Sequence, residues 1–240
     1  MKIAALIPAR FASTRLPEKL IQDLHGKSVI QRTYQSTLDT GLFDEVWVVT
    51  DHDQIQAQID AIGGNVYRSQ KEHESGSDRI AEALTKVDAD VVINVQGDEP
   101  FQDKQSLEDL VKVFQDSSIL VASLKTKISE DEAHNPNFVK VVTDKNGDAL
   151  YFSRSPIPYN RDKIRNLSYW KHIGIYAYRR ETLLEYTGMG KSELEGIEML
   201  EQLRMLESGI KIRMVETQHQ PIAIDTAEDL ARARRLLDMD

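Results

Sequence analysis

The feature that most constrains the fold is a short apolar run at residues 3–7, which stops at Pro8. Five apolar residues leave no room for an amphipathic helix, so the run predicts a buried strand, central in a parallel sheet. Three more strands are predicted at 45–50, 66–68 and 91–95, with helices at 28–40, 53–62 and 77–86. This alternation predicts right-handed βαβ units and an α/β fold with a parallel sheet.

The loop after the first predicted strand is rich in cations. Arg10, Arg15 and Lys19 lie within ten residues, with Pro8 and Pro17 as stiff corners. Open α/β sheets bind ligands at the carboxyl ends of their strands, and three cations there suit a polyphosphate. A solvated surface loop with ordinary charges is the alternative interpretation.

The distribution of charge agrees with a small anionic ligand. The chain of 240 residues has a net charge of −9, yet residues 1–40 hold six Lys and Arg against three acidic residues. An acidic chain with one basic segment does not fit a general nucleic-acid binder, so we expect no nucleic-acid partner. The absence of cysteine excludes disulfides and thiol chemistry.

No membrane association is expected either. Too few apolar residues precede Pro8 for a signal peptide, and no apolar run approaches the length of a membrane span. The cytoplasm is the expected location.

The segment HESGSDR at residues 73–79 predicts a second ligand contact. Ser75 and Gly76 form a flexible turn, and Ser77 is the predicted N-cap of the following helix. Arg79 then lies in the first turn, where its charge opposes the helix dipole. An anion should hold it there, either a ligand or a neighbouring carboxylate such as Asp78 or Glu82.

Two acidic residues are candidates for a metal site. Asp98 follows a buried strand directly and lies beside Gly97, and Asp225 ends another predicted strand. Carboxylates that face phosphates are the usual protein ligands of Mg²⁺. A turn acid at Asp98, and an N-cap at Asp225 paired with Glu228, are the alternatives.

The middle of the chain has a different pattern. Strands are predicted at 119–127, 138–143 and 149–153, with a hairpin turn at 144–147. We therefore predict one domain spanning residues 1–240, with an antiparallel lobe at about 119–178 whose edges and aromatics suit a partner. Arg154 and Arg161 flank a proline-rich loop, where either suits a carboxylate or a surface ion pair.

Two later segments predict a binding face. A strand at 170–178 places His172, Gly174, Tyr176 and Tyr178 on one face, which fits a sugar pocket or an ordinary amphipathic strand. A single helix is predicted at 194–208, and Glu201 falls within its apolar stripe. Such a carboxylate needs a donor, either a ligand hydroxyl or an arginine such as Arg204.

Six ordered segments together resemble one enzyme family. They are PARFASTRLPEK (8–19), SGSDR (75–79), NVQGDEP (94–100), HIGIYAY (172–178), EMLEQLR (198–204) and IDTAEDL (224–230). Their order and spacing resemble the sugar-activating cytidylyltransferases, and most of all the 3-deoxy-manno-octulosonate cytidylyltransferases. The family usually has Gly where this chain has Glu18 and Ala223.

The resemblance implies a Rossmann-like nucleotidyltransferase fold, with a mixed, mostly parallel sheet, helices on both faces and an antiparallel excursion. It implies transfer of CMP from CTP to a 2-keto-3-deoxy sugar acid for lipopolysaccharide synthesis, Mg²⁺ as cofactor and a homodimer. Rival interpretations are another acid substrate, sialic acid or the 8-amino analogue, and a catalytically silent nucleotide-binding regulator.

The resemblance also implies roles for particular residues. The implied catalytic residues are Lys19, Asp98 and Asp225, and the two acids would bind Mg²⁺. Nucleotide binding is implied for Pro8, Ala9, Arg10, Arg15, Lys19, Ser75 and Arg79. Sugar binding is implied for Gln96, Arg154, His172, Tyr176, Glu201 and Gln202.

Overall fold

The structure is a computed structural model that describes residues 1–164 and 167–238. The chain divides into two compact units. The first comprises Met1–Leu107 together with Pro221–Asp240, and the second comprises Glu108–Gln220. The second unit includes the lobe predicted at 119–178 and extends beyond it, and the single-domain organisation remains a prediction.

The first unit contains four parallel strands in the order β6-β1-β4-β5. They are β1 (Ile3–Ala9), β4 (Glu45–Thr50), β5 (Asn65–Arg68) and β6 (Val91–Asn94), and the short strands β2 (Asp23–Leu24) and β3 (Lys27–Ser28) form a separate hairpin. Leu6 lies opposite Trp47 on one side and Asn94 on the other. The predicted apolar runs are buried, because both faces of such a sheet are covered by helices.

Helices of the first unit connect these strands. They are α1 (Val29–Asp39), α2 (Asp53–Asp60) and α3 (Gly76–Ala83), with a 3-10 turn at Lys19–Ile21, and α9 (Ala227–Leu237) is a further helix of the unit that no strand follows. Because βαβ crossovers are right-handed, α1 and α2 cover one face of the sheet and α3 covers the other. The N-cap of α3 is Ser75, whose hydroxyl accepts from the Asp78 amide, so the prediction of Ser77 was wrong by two residues.

The second unit contains the predicted antiparallel excursion. Strand β10 (Tyr169–Arg179) runs antiparallel to β7 (Val121–Ile128) and β8 (Lys140–Thr143), β9 (Ala149–Ser153) pairs with β8, and β11 (Ile212–Glu216) runs parallel to β7. The turn at 144–147 is present, with Gly147 at φ 86°. The helices are α4 (Lys104–Lys112), in which the division between the units falls, α5 (Glu130–Ala133), α6 (Arg180–Thr187), α7 (Glu193–Glu198) and α8 (Gln202–Glu207), with a 3-10 turn at Val113–Gln115.

Strand β10 carries a bulge that keeps its polar–aromatic face intact. Ile173 lies opposite Leu124, and Tyr176 lies opposite Ser123, the next residue of β7 along the pairing. Two extra residues therefore lie in β10, and an even number preserves the alternation of side chains. The rings of His172 and Tyr176 are 5.2 Å apart, so the prediction that they share a face is confirmed.

The single helix predicted at 194–208 was wrong. Met199 has φ 54° and ends α7, and α8 begins three residues later. The Arg154 guanidinium donates to the carbonyls of Glu198 and Met199 at 2.9 and 3.3 Å, which caps the end of α7. The break changes the phase of the helix, so Glu201 is exposed rather than buried in an apolar stripe.

Within the two described stretches, 1–164 and 167–238, no helix combines the length and apolar character that crossing a membrane requires.

Candidate active site

The strand order of the first unit identifies where a ligand should bind. From β1 the chain moves outward through β4 to β5 and then returns to β6 on the opposite side of β1. The crevice at the carboxyl ends of β1 and β6 is therefore the topological switch point, where open α/β sheets bind ligands. The basic loop follows β1, and the Asp98 loop follows β6.

Two glycines allow the surrounding loops to pack against Pro8. A Cβ atom on Gly97 would lie 2.9 Å from the Pro8 carbonyl oxygen, and one on Gly76 would lie 3.2 Å from the Pro8 ring. The Thr33 hydroxyl also donates to the Gly97 carbonyl at 2.9 Å. A side chain at Gly97 would force the loop of Asp98 away from β1.

Lys19 lies at the centre of the site. Its ammonium nitrogen is 2.5 Å from Asp98 Oδ2 and 3.0 Å from Asp225 Oδ1. The amide of Ile224 donates to the Asp98 carbonyl at 2.9 Å, which joins the two acidic segments through their backbones. The structure thus brings together two acids far apart in sequence, facing the basic loop, as the sequence predicted.

The charge state of this cluster follows from its contacts. Burial of Lys19 disfavours the ammonium, but the carboxylates of Asp98 and Asp225 outweigh it and raise the Lys19 pKa above its usual value. The Lys19 side chain is 15% exposed, so solvent weakens these attractions little. Lys19 therefore stays positively charged throughout the neutral pH range.

The other cations of the loop are more accessible. Arg15 Nη2 is 3.0 Å from Asp225 Oδ1, and its side chain is 66% exposed. Arg10 is also exposed and directly follows β1. Both are long side chains on the open side of the loop, which suits capture of a mobile polyanion.

Glu18 adopts the left-handed conformation, with φ 53° and ψ 31°. The family resemblance places Gly at this position, and a left-handed backbone is what Gly accepts without steric cost. The loop therefore has the geometry expected for Gly, although a residue with a Cβ atom occupies it.

Arg79 is held by a carboxylate that the sequence did not single out. Its Nη2 donates to Asp51 Oδ2 at 3.0 Å, rather than to Asp78 or Glu82. Burial alone would raise the Asp51 pKa, but the Arg79 guanidinium outweighs it and lowers that pKa. In the described part of the chain, the buried Nη1 of Arg79 has no hydrogen-bond partner, so this arginine can still bind a ligand.

Ser75 and Gln96 flank the same crevice. The Ser75 hydroxyl accepts from the Asp78 amide and donates to its carboxylate at 2.7 Å, which fixes the first turn of α3. Gln96 is half-buried, and its carbonyl accepts from the Glu99 amide at 3.1 Å. Both residues belong to turns at the carboxyl ends of the sheet.

The second unit holds the predicted sugar-binding side chains. Burial lowers the pKa of His172 to about 3, with the Lys171 charge adding to the effect. Burial also raises the pKa of Tyr176 well above its usual value, and the nearby charge of Glu201 contributes. A neutral imidazole and a protonated phenol therefore adjoin one another, and buried Gln202 begins α8.

Arg154 is used mainly to hold the backbone of the second unit. Besides the two carbonyls at the end of α7, its guanidinium donates to the Pro136 carbonyl at 3.0 Å. Three bonds leave two of the five N–H groups of a guanidinium for other partners. The predicted alternative of a surface ion pair at Arg154 was wrong, because its partners are carbonyl oxygens.

Comparison with known proteins gives the family. A family model described as cytidylyltransferase matches residues 4–212, which is most of the chain. This chain belongs to the cytidylyltransferase family. It is similar to the 3-deoxy-manno-octulosonate cytidylyltransferase of Flavobacterium johnsoniae, with 56% identity over 99% of each chain. The enzyme of the same name from Geobacter metallireducens is 45% identical over 96% of this chain and 95% of its own.

Solved structures confirm the predicted cytidylyltransferase fold. The structure of CMP:2-keto-3-deoxy-manno-octonic acid synthetase complexed with CTP superposes with a TM-score of 0.95 and 42% identity, covering 100% of this chain and 99% of that one. A 4-diphosphocytidyl-2C-methyl-D-erythritol synthase from Anaerococcus prevotii shares the fold alone, with a TM-score of 0.66 and 17% identity over 99% and 98% of the chains.

Two residues of this cytidylyltransferase were missed by the reasoning from sequence. Asp51 holds Arg79, and its position directly after β4 was the available signal, since acids that end parallel strands face the ligand crevice. Glu198 accepts from the Ser153 hydroxyl at 2.6 Å and from the Arg154 amide at 2.9 Å. No sequence pattern indicated this second contact, because it joins residues about 45 positions apart.

Proposed function

We propose that this protein transfers CMP from CTP to the anomeric hydroxyl of 3-deoxy-D-manno-octulosonate (KDO), with release of pyrophosphate. The observation that carries the proposal is the Lys19 ammonium bound by Asp98 and Asp225 at the switch point of the sheet. The high identity to enzymes named for this activity supports the same substrate pair.

The reaction makes one bond and breaks one. The 2-hydroxyl oxygen of the sugar acid bonds to the α-phosphorus of CTP, the bond from that phosphorus to the bridging oxygen breaks, and pyrophosphate departs with those electrons. The hydroxyl proton is lost to solvent or to a nearby base. Such a transfer depends mainly on positioning and charge neutralisation, which is the contribution of Arg10, Arg15 and Lys19 around the triphosphate.

The nucleotide itself would occupy the crevice lined by the Pro8–Ala9 backbone and the first turn of α3. Arg79 offers its buried Nη1 there, and Asp51 keeps the guanidinium in place. Ser75 would contribute through the turn that it caps.

The donor set at the centre fits Mg²⁺. Asp98 and Asp225 already share one cation, and their side chains are 24% and 33% exposed, which leaves them accessible to a metal ion. The described residues contain no cluster of three or more acidic or imidazole groups that would hold a metal unaided. Mg²⁺ is usually bound by one or two carboxylates with substrate phosphates and water, so these two acids suffice. Asp98 and Asp225 would hold the ion, which would supply charge neutralisation at the phosphates and a more acidic attacking hydroxyl.

Recognition of the sugar acid is proposed for polar and aromatic side chains. Tyr176 remains a hydrogen-bond donor, since its pKa is raised, and His172 remains neutral. Arg154 keeps two N–H groups for the substrate carboxylate. The remaining proposed contacts are made by Gln96, Glu201 and Gln202.

We also propose that the protein is a homodimer. The second unit exposes large apolar side chains that its own core does not cover, and exposed apolar clusters mark interaction surfaces. Glu198 holds α7 against β9, which places the exposed Leu150 and Ile197 on neighbouring elements. We call the exposed apolar residues of β9, α7 and the C-cap of α7 the apolar patch: Leu150, Ile197 and Met199.

One assay tests the substrate assignment. Pyrophosphate release would be measured with CTP, Mg²⁺ and a panel of acids: KDO, its 8-amino analogue and sialic acid. The proposal expects turnover with KDO above the other two. Higher turnover of another acid would transfer the assignment to that acid, and CTP binding without turnover of any acid would favour a regulator.

The role of the central acids is tested by Asp98→Asn. The change removes one negative charge but keeps the shape, so kcat/KM should fall at least about a hundredfold, while Asp225 still holds Lys19 and the fold persists. Asp60→Asn, an exposed carboxylate on α2, is the matched control and should have full activity. An Asp98→Asn variant with the thermal stability and the turnover of the parent would contradict the role.

A further inference from the structure

The imidazole of His172 has a fixed partner in the core of the second unit. Ser123, on β7, is fully buried, and its hydroxyl oxygen is 3.0 Å from His172 Nε2. The same oxygen is 3.1 Å from the Ile173 carbonyl oxygen and 2.8 Å from the Ile175 carbonyl oxygen. One hydroxyl thus faces one ring nitrogen and two carbonyls.

The chemistry of these partners decides which atom donates. A serine hydroxyl has a single hydrogen, whereas carbonyl oxygens can only accept. The hydroxyl hydrogen therefore goes to a carbonyl, and Ile175 is the nearer. If it went to His172 Nε2 instead, both carbonyls would lose this donor in a buried place, which is costly. The Ser123 oxygen is left with lone pairs that face Nε2.

The bulge in β10 creates this arrangement. The pairing with β7 passes from Leu124, opposite Ile173, directly to Ser123, opposite Tyr176. The backbone between Ile173 and Tyr176 is therefore displaced from regular pairing, and its carbonyls reach the Ser123 side chain. The Ser123 hydroxyl serves both the bulge and the histidine.

We propose that Ser123 is a positioning residue that fixes His172 as the Nε2–H tautomer, so that the Nδ1 lone pair accepts a hydrogen bond from a hydroxyl of the sugar acid. The inference rests on the proposed function, since it assigns a ligand group to a proposed sugar-binding residue. It goes further by naming the chemistry recognised: a donor, and not the substrate carboxylate.

Two observations indicate that Nδ1 is the ring nitrogen of His172 that binds a ligand. Since burial lowers the pKa of His172 to about 3, the ring is neutral and has one N–H, which Ser123 uses. In residues 1–164 and 167–238, Nδ1 has no hydrogen-bond partner in the protein. The rings of Phe152 and Tyr176, at 5.1 and 5.2 Å, restrict rotation of the imidazole.

The tautomer is measured directly by NMR of the full-length protein with ¹⁵N-labelled histidine. The His172 signals are assigned by their loss in His172→Asn, since the chain has six histidines. We expect a protonated Nε2 and an unprotonated Nδ1, and we expect Ser123→Ala to shift this balance. A protonated Nδ1 in the parent protein, or an unchanged tautomer in Ser123→Ala, would overturn the proposal.

Kinetics tests the link to the sugar acid. Ser123→Ala should raise KM for KDO about tenfold, as expected for one misplaced hydrogen bond, while KM for CTP stays within a factor of about two. Ser123→Thr, which keeps the hydroxyl, should restore KM for KDO. Thr126→Val is the control, because it removes a buried hydroxyl from the opposite face of β7 and should change neither KM.

The two experiments separate this inference from the proposed function. If the parent protein does not turn over KDO, the proposed function fails, and the NMR experiment still decides the tautomer. In the same experiment, an Nδ1 resonance that does not shift when KDO is added would overturn the assignment of a sugar hydroxyl to His172. A KM for KDO that is equal in Ser123→Ala and in the parent would overturn it as well.

Discussion

At the scale of single residues, Glu18 is the position where sequence and backbone disagree. It lies in the left-handed region one residue before Lys19, and its carbonyl accepts from the Ile21 amide to form the turn. The left-handed conformation is costly for a residue with a Cβ atom. The turn that places Lys19 beside Asp98 and Asp225 therefore requires a backbone conformation that is unfavourable for Glu18.

Glu18→Gly should stabilise the protein. Relief of the left-handed conformation outweighs the extra freedom of Gly in the unfolded chain, so the free energy of unfolding should rise by roughly 0.5–1 kcal/mol. Urea denaturation measures it. Glu185→Gly, at an exposed position of helix α6, is the matched control and should lower the free energy of unfolding by about 1 kcal/mol. Destabilisation by both changes would show that Glu18 contributes a contact worth more than its strain.

Lys19 and Asp98 were predictable because they lie in loops that follow predicted strands. The strand predicted to end at Asp225 was wrong, since residues 221–225 form no strand, and the N-cap of α9 is Thr226, paired with Asp229. The carboxyl ends of parallel strands meet at one edge of a sheet, so Lys19 and Asp98 could be expected to lie together. The position of Asp51 after β4 gave the same signal, but the role of Ser123 and the pairing of Arg79 with Asp51 could not be derived in this way. The first depends on a bulge, and the second on which of several nearby carboxylates Arg79 reaches, and neither leaves a periodic pattern in the sequence.

At the scale of elements, the break between α7 and α8 is stabilised by a buried ion pair. Arg204 donates to both carboxylate oxygens of Glu195 at 2.8 and 2.6 Å, and Glu195 is buried. The sequence had offered Arg204 as one alternative partner of Glu201, and the structure pairs Arg204 with Glu195. Burial of Glu195 favours its neutral form, but the Arg204 guanidinium outweighs this and lowers the Glu195 pKa.

Arg204→Met should destabilise the protein strongly, because it leaves the Glu195 carboxylate buried without a partner. We expect a loss of about 3–5 kcal/mol at pH 7, measured by urea denaturation. The double change Glu195→Leu with Arg204→Met should recover most of this loss.

The same pair gives a dependence on pH. The lowered Glu195 pKa stabilises the parent above the pKa of the unfolded chain, and this contribution is lost as the pH falls through the folded value. The deficit of Arg204→Met should therefore shrink in acid. A deficit that stays constant as the pH falls from 7 through the folded pKa of Glu195 would mean that lost packing, and not lost charge, is the cause.

The elements were predicted best where turn residues bound a compact run. Strand β4 and strand β9 have the predicted bounds, since each is a compact run between turn residues. The error at α7 and α8 has a tertiary cause, because Met199 carries no local signal for a left-handed residue. The guanidinium of Arg154, about 45 residues away, caps the helix there.

At the scale of the whole molecule, the apolar patch leads to a prediction about assembly. Sedimentation equilibrium should give a dimer for the parent protein. The double change Leu150→Lys with Ile197→Lys should yield a monomer, because two charges would be buried at the interface. Leu38→Lys is the control: Leu38 is exposed on α1 of the first unit, and its change should leave the dimer intact. A parent protein that sediments as a monomer would contradict the homodimer proposal.

The bonds of Lys19 have a consequence for how the protein is made. They join positions separated by 79 and 206 residues, and the first unit is assembled from both ends of the chain. Closing loops of this length costs entropy before any contact rewards it, which slows folding. A nascent chain that has not yet reached residue 225 cannot complete the cluster of Lys19, Asp98 and Asp225, so this part of the first unit forms late in synthesis.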